Sequence, residues 1–168
     1  MIYGSGGMTL EEFVGTRGGQ CPIYSLKTNC RNTPRIATAV QVLAGLDPPY
    51  YRIRRPDNHL EFQTDFYPNS KEQEILLVKK LESYYGEGIR ADDIIILSPK
   101  ADVRCISSKI EILPWRDRFK PIESATSGSI PYSTIQRFKG LERPVVILTD
   151  IEDVITDQAE SLFYIGLT

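Results

Sequence analysis

Two short runs constrain this chain more than any other feature. Ile94–Leu97 reads "IIIL" and Val145–Leu148 reads "VVIL", aliphatic throughout. Both are far too short to cross a membrane. A strand with no polar face must be covered on both sides, as strands of a parallel sheet are. The segments between them alternate helical and strand-like patterns. The chain is therefore expected to be α/β, with a mainly parallel sheet and helices on both faces. In such sheets ligands gather at the carboxyl ends of the strands, so chemistry is sought just after each one.

The remaining elements follow from local signals. "CPIYSLK" (Cys21–Lys27) reads as a strand. Thr33-Pro34 reads as N-cap and first position of a helix, with Ile36, Ala39, Val40 and Leu43 on one face and Gly45 as the stop. "DPPYYRIRRPDN" is a proline-rich cationic loop, and "LEFQTDF" alternates as a half-buried strand. Ser70 and Gln73 form a capping box for a long helix. Its core face runs through Ile75, Val78, Leu81 and Tyr85, or through the neighbouring stripe with Leu77 and Tyr84. "DVRCISSKIEIL" is a weak short helix, "PIESA" a short strand, "YSTI" a strand, "QRFKGLE" a turn, and "DQAESLFYIGLT" a final helix. Residues 1–20 form a glycine-rich segment ahead of a single domain over 21–168. No internal repeat is visible.

Composition excludes several functions. The net charge of −2 over 168 residues gives no global field toward nucleic acid or membrane, so any such binding must come from local patches. Cys21, Cys30 and Cys105 are odd in number and lack C-x-x-C spacing, which fits a reducing cytosol and a cytoplasmic location. His59 is the one histidine, in a turn, and no G-x-S-x-G elbow accompanies it. No Gly-Lys dipeptide occurs, so there is no P-loop. "VVILTD" looks like a Walker B strand, but Thr149 stands where the magnesium-binding acid belongs.

Two segments carry charge where ligands are expected. Arg31 sits just before a helix, where a cation and backbone N–H groups together suit a phosphate. After "YSTI" comes "QRFKGLE". Gly140 permits close backbone approach or positive φ, Lys139 is a flexible point charge suited to phosphate, and Glu142 can accept from a ribose hydroxyl. Taken singly, each also reads as an ordinary solvated loop.

Taken together, they form an ordered set. "LKTNCRNTPRI" resembles motif IV of superfamily 1 helicases of the UvrD/Rep type, L-x-x-N-Y-R-S-x-x-x-I. "STIQRFKGLERPVVIL" resembles their motif V, x-T-x-H-x-x-K-G-L-E before an apolar strand. "LFYIGLT" resembles the start of motif VI, and "IYGSGG" the tail of motif III. The resemblance spans nearly the whole chain and implies the second, C-terminal RecA-like motor domain, in a compact form without the large insertion. It implies ATP with Mg2+ as cofactor, the magnesium ligands lying on a first RecA-like domain outside this chain. Arg31 would reach the γ-phosphate as an arginine finger, the catalytic role. Lys139, Gly140 and Glu142 would complete the ATP contacts. Tyr3, Thr134, Gln136 and Arg137 would face single-stranded or partly duplex DNA. No membrane partner is implied, and the fragment is expected to be monomeric.

Departures accompany the match. Cys30 stands where the family has an adenine-stacking tyrosine, and Gln136 where it has a histidine. Ser5 and Gly6 replace an aromatic and an arginine. Thr168 falls one residue before the motif VI arginine, and Met1 just past the motif III glutamine, which reads as a fragment inactive by itself. Two other readings stay open: a degenerate helicase-like module used for binding or assembly, and an unrelated α/β ligand-binding domain. The helicase reading expects Arg31, Lys139 and Glu142 on one edge of the sheet.

Overall fold

The computed structural model describes residues 9–16, 27–43, 45, 50–152 and 157–167. In chain order the elements are α1 (Leu10–Thr16), β1 (Thr28–Asn29), α2 (Pro34–Leu43), β2 (Arg52–Ile53), α3 (Ser70–Gly86), β3 (Ile94–Ser98), α4 (Ile106–Lys109), α5 (Trp115–Arg118), β4 (Phe119–Pro121), β5 (Ile130–Thr134), α6 (Ile135–Phe138), β6 (Val145–Leu148) and α7 (Asp157–Leu167). The fold is mixed α/β, and among the described residues every strand pair is parallel. The chain divides into two compact units, Met1–Phe62 with Asp153–Thr168, and Gln63–Glu152. The expected 21–168 domain spans both.

The second unit is built on a four-stranded sheet of order β4-β5-β3-β6. All five residues of β3 are buried, as its aliphatic run requires. Ile94, Ile95, Ile96 and Leu97 are each at most 1% exposed, and each such side chain contributes about 1.5–3 kcal/mol through burial. β6 departs from the expected fully buried strand. It lies at the edge of the described sheet, and Val146 is 39% exposed. Leu77, Val78 and Leu81 of α3 pack into the same core as β3, whereas Ile75 is largely exposed. The inner face thus draws on both stripes, Val78 and Leu81 from one and Leu77 from the other, and leaves Ile75 outside. Trp115 meets Tyr85 edge-on, with ring centroids 5.4 Å apart.

Several local expectations are corrected. The α3 cap is Asn69, whose side chain accepts from the Glu72 N–H, while Gln73 is buried with an unpartnered Nε2. Asn69 has the extended backbone that a cap needs, so Ser70 becomes the first helical residue. "LEFQTDF" forms no strand, and Leu60 and Phe66 are exposed. The strand expected at "PIESA" comes earlier, at Phe119–Pro121, and Ile122–Ser124 is a 3-10 turn.

In the first unit β1 and β2 pair side by side, Thr28 with Arg52 and Asn29 with Ile53. Helix α2 begins at Pro34 as expected, and Gly45 follows it with φ 54°. Its buried positions are Ala37 and Val40. α7 packs against α2, and the Asn32 side chain donates to the Leu167 carbonyl at 2.6 Å. The expected strand Cys21–Lys27 lies, apart from Lys27, outside the described residues, as does the "IYGSGG" segment. Among the described residues no helix is long and apolar enough to cross a membrane.

Candidate functional site

The carboxyl ends of β3 and β5 lie side by side, with Ser98 in register with Thr134. Here the chain leaves β5, and the sequence dictates how. The Thr134 hydroxyl accepts from the Arg137 N–H, capping a single helical turn over Ile135–Phe138 where a plain turn was expected. Ile135 and Phe138 are buried and pin that turn to the core. Gln136 and Arg137, between them, point to solvent. Lys139 closes the turn, and Gly140 follows with φ 85°, the left-handed region that favours glycine. The Leu141 N–H reaches back to the Phe138 carbonyl. Lys139 and Glu142 are both exposed, and Glu142 has no hydrogen-bond or ion-pair partner among the described residues.

Arg137 is exposed but already engaged. Its guanidinium lies 2.6 Å from Asp102 and 2.7 Å from Glu123. The Asp102 hydrogen bond, helped by the charge of both acids, raises the Arg137 pKa above its ordinary value. An arginine expected to face nucleic acid is thus held in a carboxylate pincer.

A second cluster at the same end of the sheet was missed by the sequence reading. Asp150, just past β6, is 5% exposed and has φ 58°, uncommon for a non-glycine residue. Its carboxylate accepts from the Ser98 hydroxyl (2.8 Å), the Ile106 N–H (3.1 Å) and the Thr149 hydroxyl (3.2 Å). Lys100 Nζ lies 3.7 Å away and 2.6 Å from Glu152. A buried carboxylate is tolerated only with such compensation. Asp150 thereby ties the ends of β3 and β6 to the start of α4. The signal in sequence was the aspartate closing an aliphatic strand, dismissed once Thr149 failed the Walker B pattern. Among the described residues no cluster of His, Cys, Asp or Glu is arranged to hold a metal.

In the first unit, Arg31 is exposed between β1 and α2. The loop that carries it is shaped by buried Asn29, whose side-chain oxygen accepts from the N–H groups of both Arg31 and Asn32 at 2.9 Å. Sequence reasoning passed over Asn29, although Asn readily turns its own backbone this way. The Thr33 carbonyl accepts the first helical hydrogen bond, but its hydroxyl is buried without a partner, so the side-chain cap is absent. Cys30 is an exposed free thiol.

The structure therefore gathers Thr134, Gln136, Arg137, Lys139, Gly140 and Glu142 into one continuous feature of the second unit. Arg31 belongs to the first unit, and Tyr3 lies outside the described residues. The chain matches no protein-family model, and neither curated proteins nor solved structures give a significant match.

Proposed function

We propose that this chain is the C-terminal motor domain of an ATP-dependent DNA helicase or translocase. The observation that carries the reading is the β5–α6–Gly140 feature. At the carboxyl end of a parallel strand, one anchored helical turn presents Gln136 and Arg137, and a left-handed glycine then presents Lys139 and Glu142. Strand contact and nucleotide contact are thus set two to six residues apart on one support.

What supports a nucleotide here is a cation and an acceptor set at one open turn. Lys139 and Glu142 are exposed charges flanking a backbone turn with open space at Gly140, and Arg31 is exposed beside the start of α2. ATP with Mg2+, when bound, supplies the free energy of phosphoryl transfer to water. In this reading Lys139 would hold phosphate charge and Glu142 would accept from the ribose, while the arginine-finger role at the γ-phosphate is what the motif IV resemblance implies for Arg31 in the first unit. Gln136 and Arg137 grip the backbone of the DNA strand, and cleft closure moves that grip. A non-enzymatic helicase-like module is the second reading, favoured by the carboxylates that occupy Arg137.

Photo-cross-linking of the purified chain to oligo-dT, with the attached peptides identified by mass spectrometry, tests the proposal. Attachment within 133–142 is expected, together with no DNA-stimulated ATPase from the chain alone. Robust ATP turnover by the pure chain, or no attachment in that segment, would sink it.

A further inference from the structure

A second charged surface lies in the first unit, in a segment that none of the helicase-like motifs beyond motif IV accounts for. Between Arg17 and Pro56 the sequence has seven basic residues and one acid, Asp47. This local surplus of six positive charges sits in a chain whose net charge is −2. Such asymmetry marks a polyanion-binding face more than a merely soluble one.

The structure shows how part of it is displayed. The N–H groups of Tyr51 and Arg52 donate to the Lys27 carbonyl, and the Arg54 N–H donates to the Asn29 carbonyl. This ladder sets Lys27–Asn29 alongside Tyr51–Arg54. Alternation along the strand then puts Arg52 and Arg54 on the side of exposed Thr28, away from Ile53. Lys27, Arg52, Arg54 and Arg55 are all exposed, and none has an ion pair among the described residues. The acid that follows them, Asp57, is committed to the His59 N–H and to Arg35. Its carboxyl is held below its ordinary pKa, first by that N–H and then by Arg35. Tyr51 is 88% exposed at the start of the ladder. By the same alternation Tyr51 falls on the Ile53 side, so ring and arginines flank one short strand, and a nucleic-acid strand drawn over that edge meets cations for its phosphates and a ring for a base.

We infer that the β1–β2 edge, with Lys27, Tyr51, Arg52, Arg54 and Arg55, is a binding surface for single-stranded nucleic acid, separate from α6. It stands independently of the motor reading. An acidic protein surface or an anionic membrane would use the arginines too, but neither offers a base to stack on the Tyr51 ring.

Fluorescence anisotropy of labelled oligo-dT with the full chain tests this across a salt series. The triple variant Arg52→Gln/Arg54→Gln/Arg55→Gln is expected to bind about tenfold more weakly, with a log–log salt slope shallower by about two. Tyr51→Ala is expected to weaken oligo-dT about fivefold while leaving heparin binding unchanged, and Tyr51→Phe to restore it. All are solvent-exposed substitutions, and circular dichroism confirms that each variant is folded. Unchanged affinity and slope in the triple variant overturn the inference. So does equal binding of oligo-dT by Tyr51→Ala and wild type, or preference for phosphatidylserine–phosphatidylcholine vesicles over oligo-dT. Arg137→Ala is the discriminating arm. If it alone abolishes binding while the triple variant binds normally, the strand sits on α6, and this inference fails while the motor reading stands.

Discussion

The guanidinium of Arg137 lies 2.6 Å from the carboxylate of Asp102, a residue 35 positions earlier in the chain. Glu123 closes on the same guanidinium from another loop. A phosphate that uses Arg137 must compete with both acids. In the proposed motor this makes the strand grip weaker than an uncommitted arginine would give. Asp102→Asn combined with Glu123→Gln is expected to raise affinity for oligo-dT by about three- to tenfold. The same pair should steepen its salt dependence, as read by anisotropy. An unchanged affinity would mean that Arg137 serves only to tie the two loops to α6.

The Asp150 network is a matter of stability. Its carboxylate is buried, and three donors converge on it. Asp150→Ala leaves the Ser98 hydroxyl and the Ile106 N–H without their acceptor. It also places alanine at a positive φ. A loss of about 2–4 kcal/mol is expected in urea unfolding. Ser98→Ala removes one neutral donor and should cost about 1 kcal/mol. Equal, small effects from both would show that the network contributes little.

Much of this fold was legible because its strongest signals are local. Ile94–Leu97 could only be a buried strand, and Thr33-Pro34 and Gly45 bracket α2 by backbone chemistry alone. Legibility ended where a partner was needed. "LEFQTDF" alternates as a strand should, yet alternation says only which side would be buried if a neighbour existed. Leu60 and Phe66 have none to cover them. Asn69 and Ser70 are both competent caps, and only backbone geometry chose between them. In the candidate site Gly140 was readable, since its left-handed turn is a property of one residue. The roles of Asp150 and Asp102 were not, because Ser98, Ile106 and Arg137 reach them from 35 to 52 positions away.

Gly140 carries the turn that separates Lys139 from Glu142. An added Cβ would meet nothing within 4 Å, so the cost of substitution is conformational, not steric. With φ at 85°, Gly140→Ala is expected to lose about 1–2 kcal/mol of stability. Gly140→Asn should lose less, because Asn tolerates the left-handed region. Thermal unfolding of the two variants gives the order, and an Ala variant as stable as wild type would contradict the turn geometry.

Asn29 shapes the Arg31 loop by accepting two N–H groups with one oxygen. Asn29→Ala leaves both donors without that acceptor and is expected to cost about 1–3 kcal/mol. Asn29→Asp keeps the acceptor and should recover most of it. A chemical-denaturation series over the two variants separates the acceptor from mere side-chain volume. Recovery by Asp would assign the loop's shape to the hydrogen bonds.

Tyr50 supplies a pH signature for the first unit. Its hydroxyl lies 3.5 Å from that of Tyr164. Burial first, and then the Tyr164 hydroxyl, push the Tyr50 phenol up to about 12, against an ordinary value of 10.0. The folded state thus favours the neutral phenol. Its contribution is complete below pH about 10 and is lost as pH rises from there toward 12. Thermal stability should fall across that window, and less steeply in Tyr50→Phe, which has no proton to lose. Tyr67, Tyr84 and Tyr132 are also raised, each chiefly by burial, so the Phe variant flattens the slope without abolishing it. Identical alkaline slopes in the variant and wild type would place the Tyr50 hydroxyl in water instead of against Tyr164.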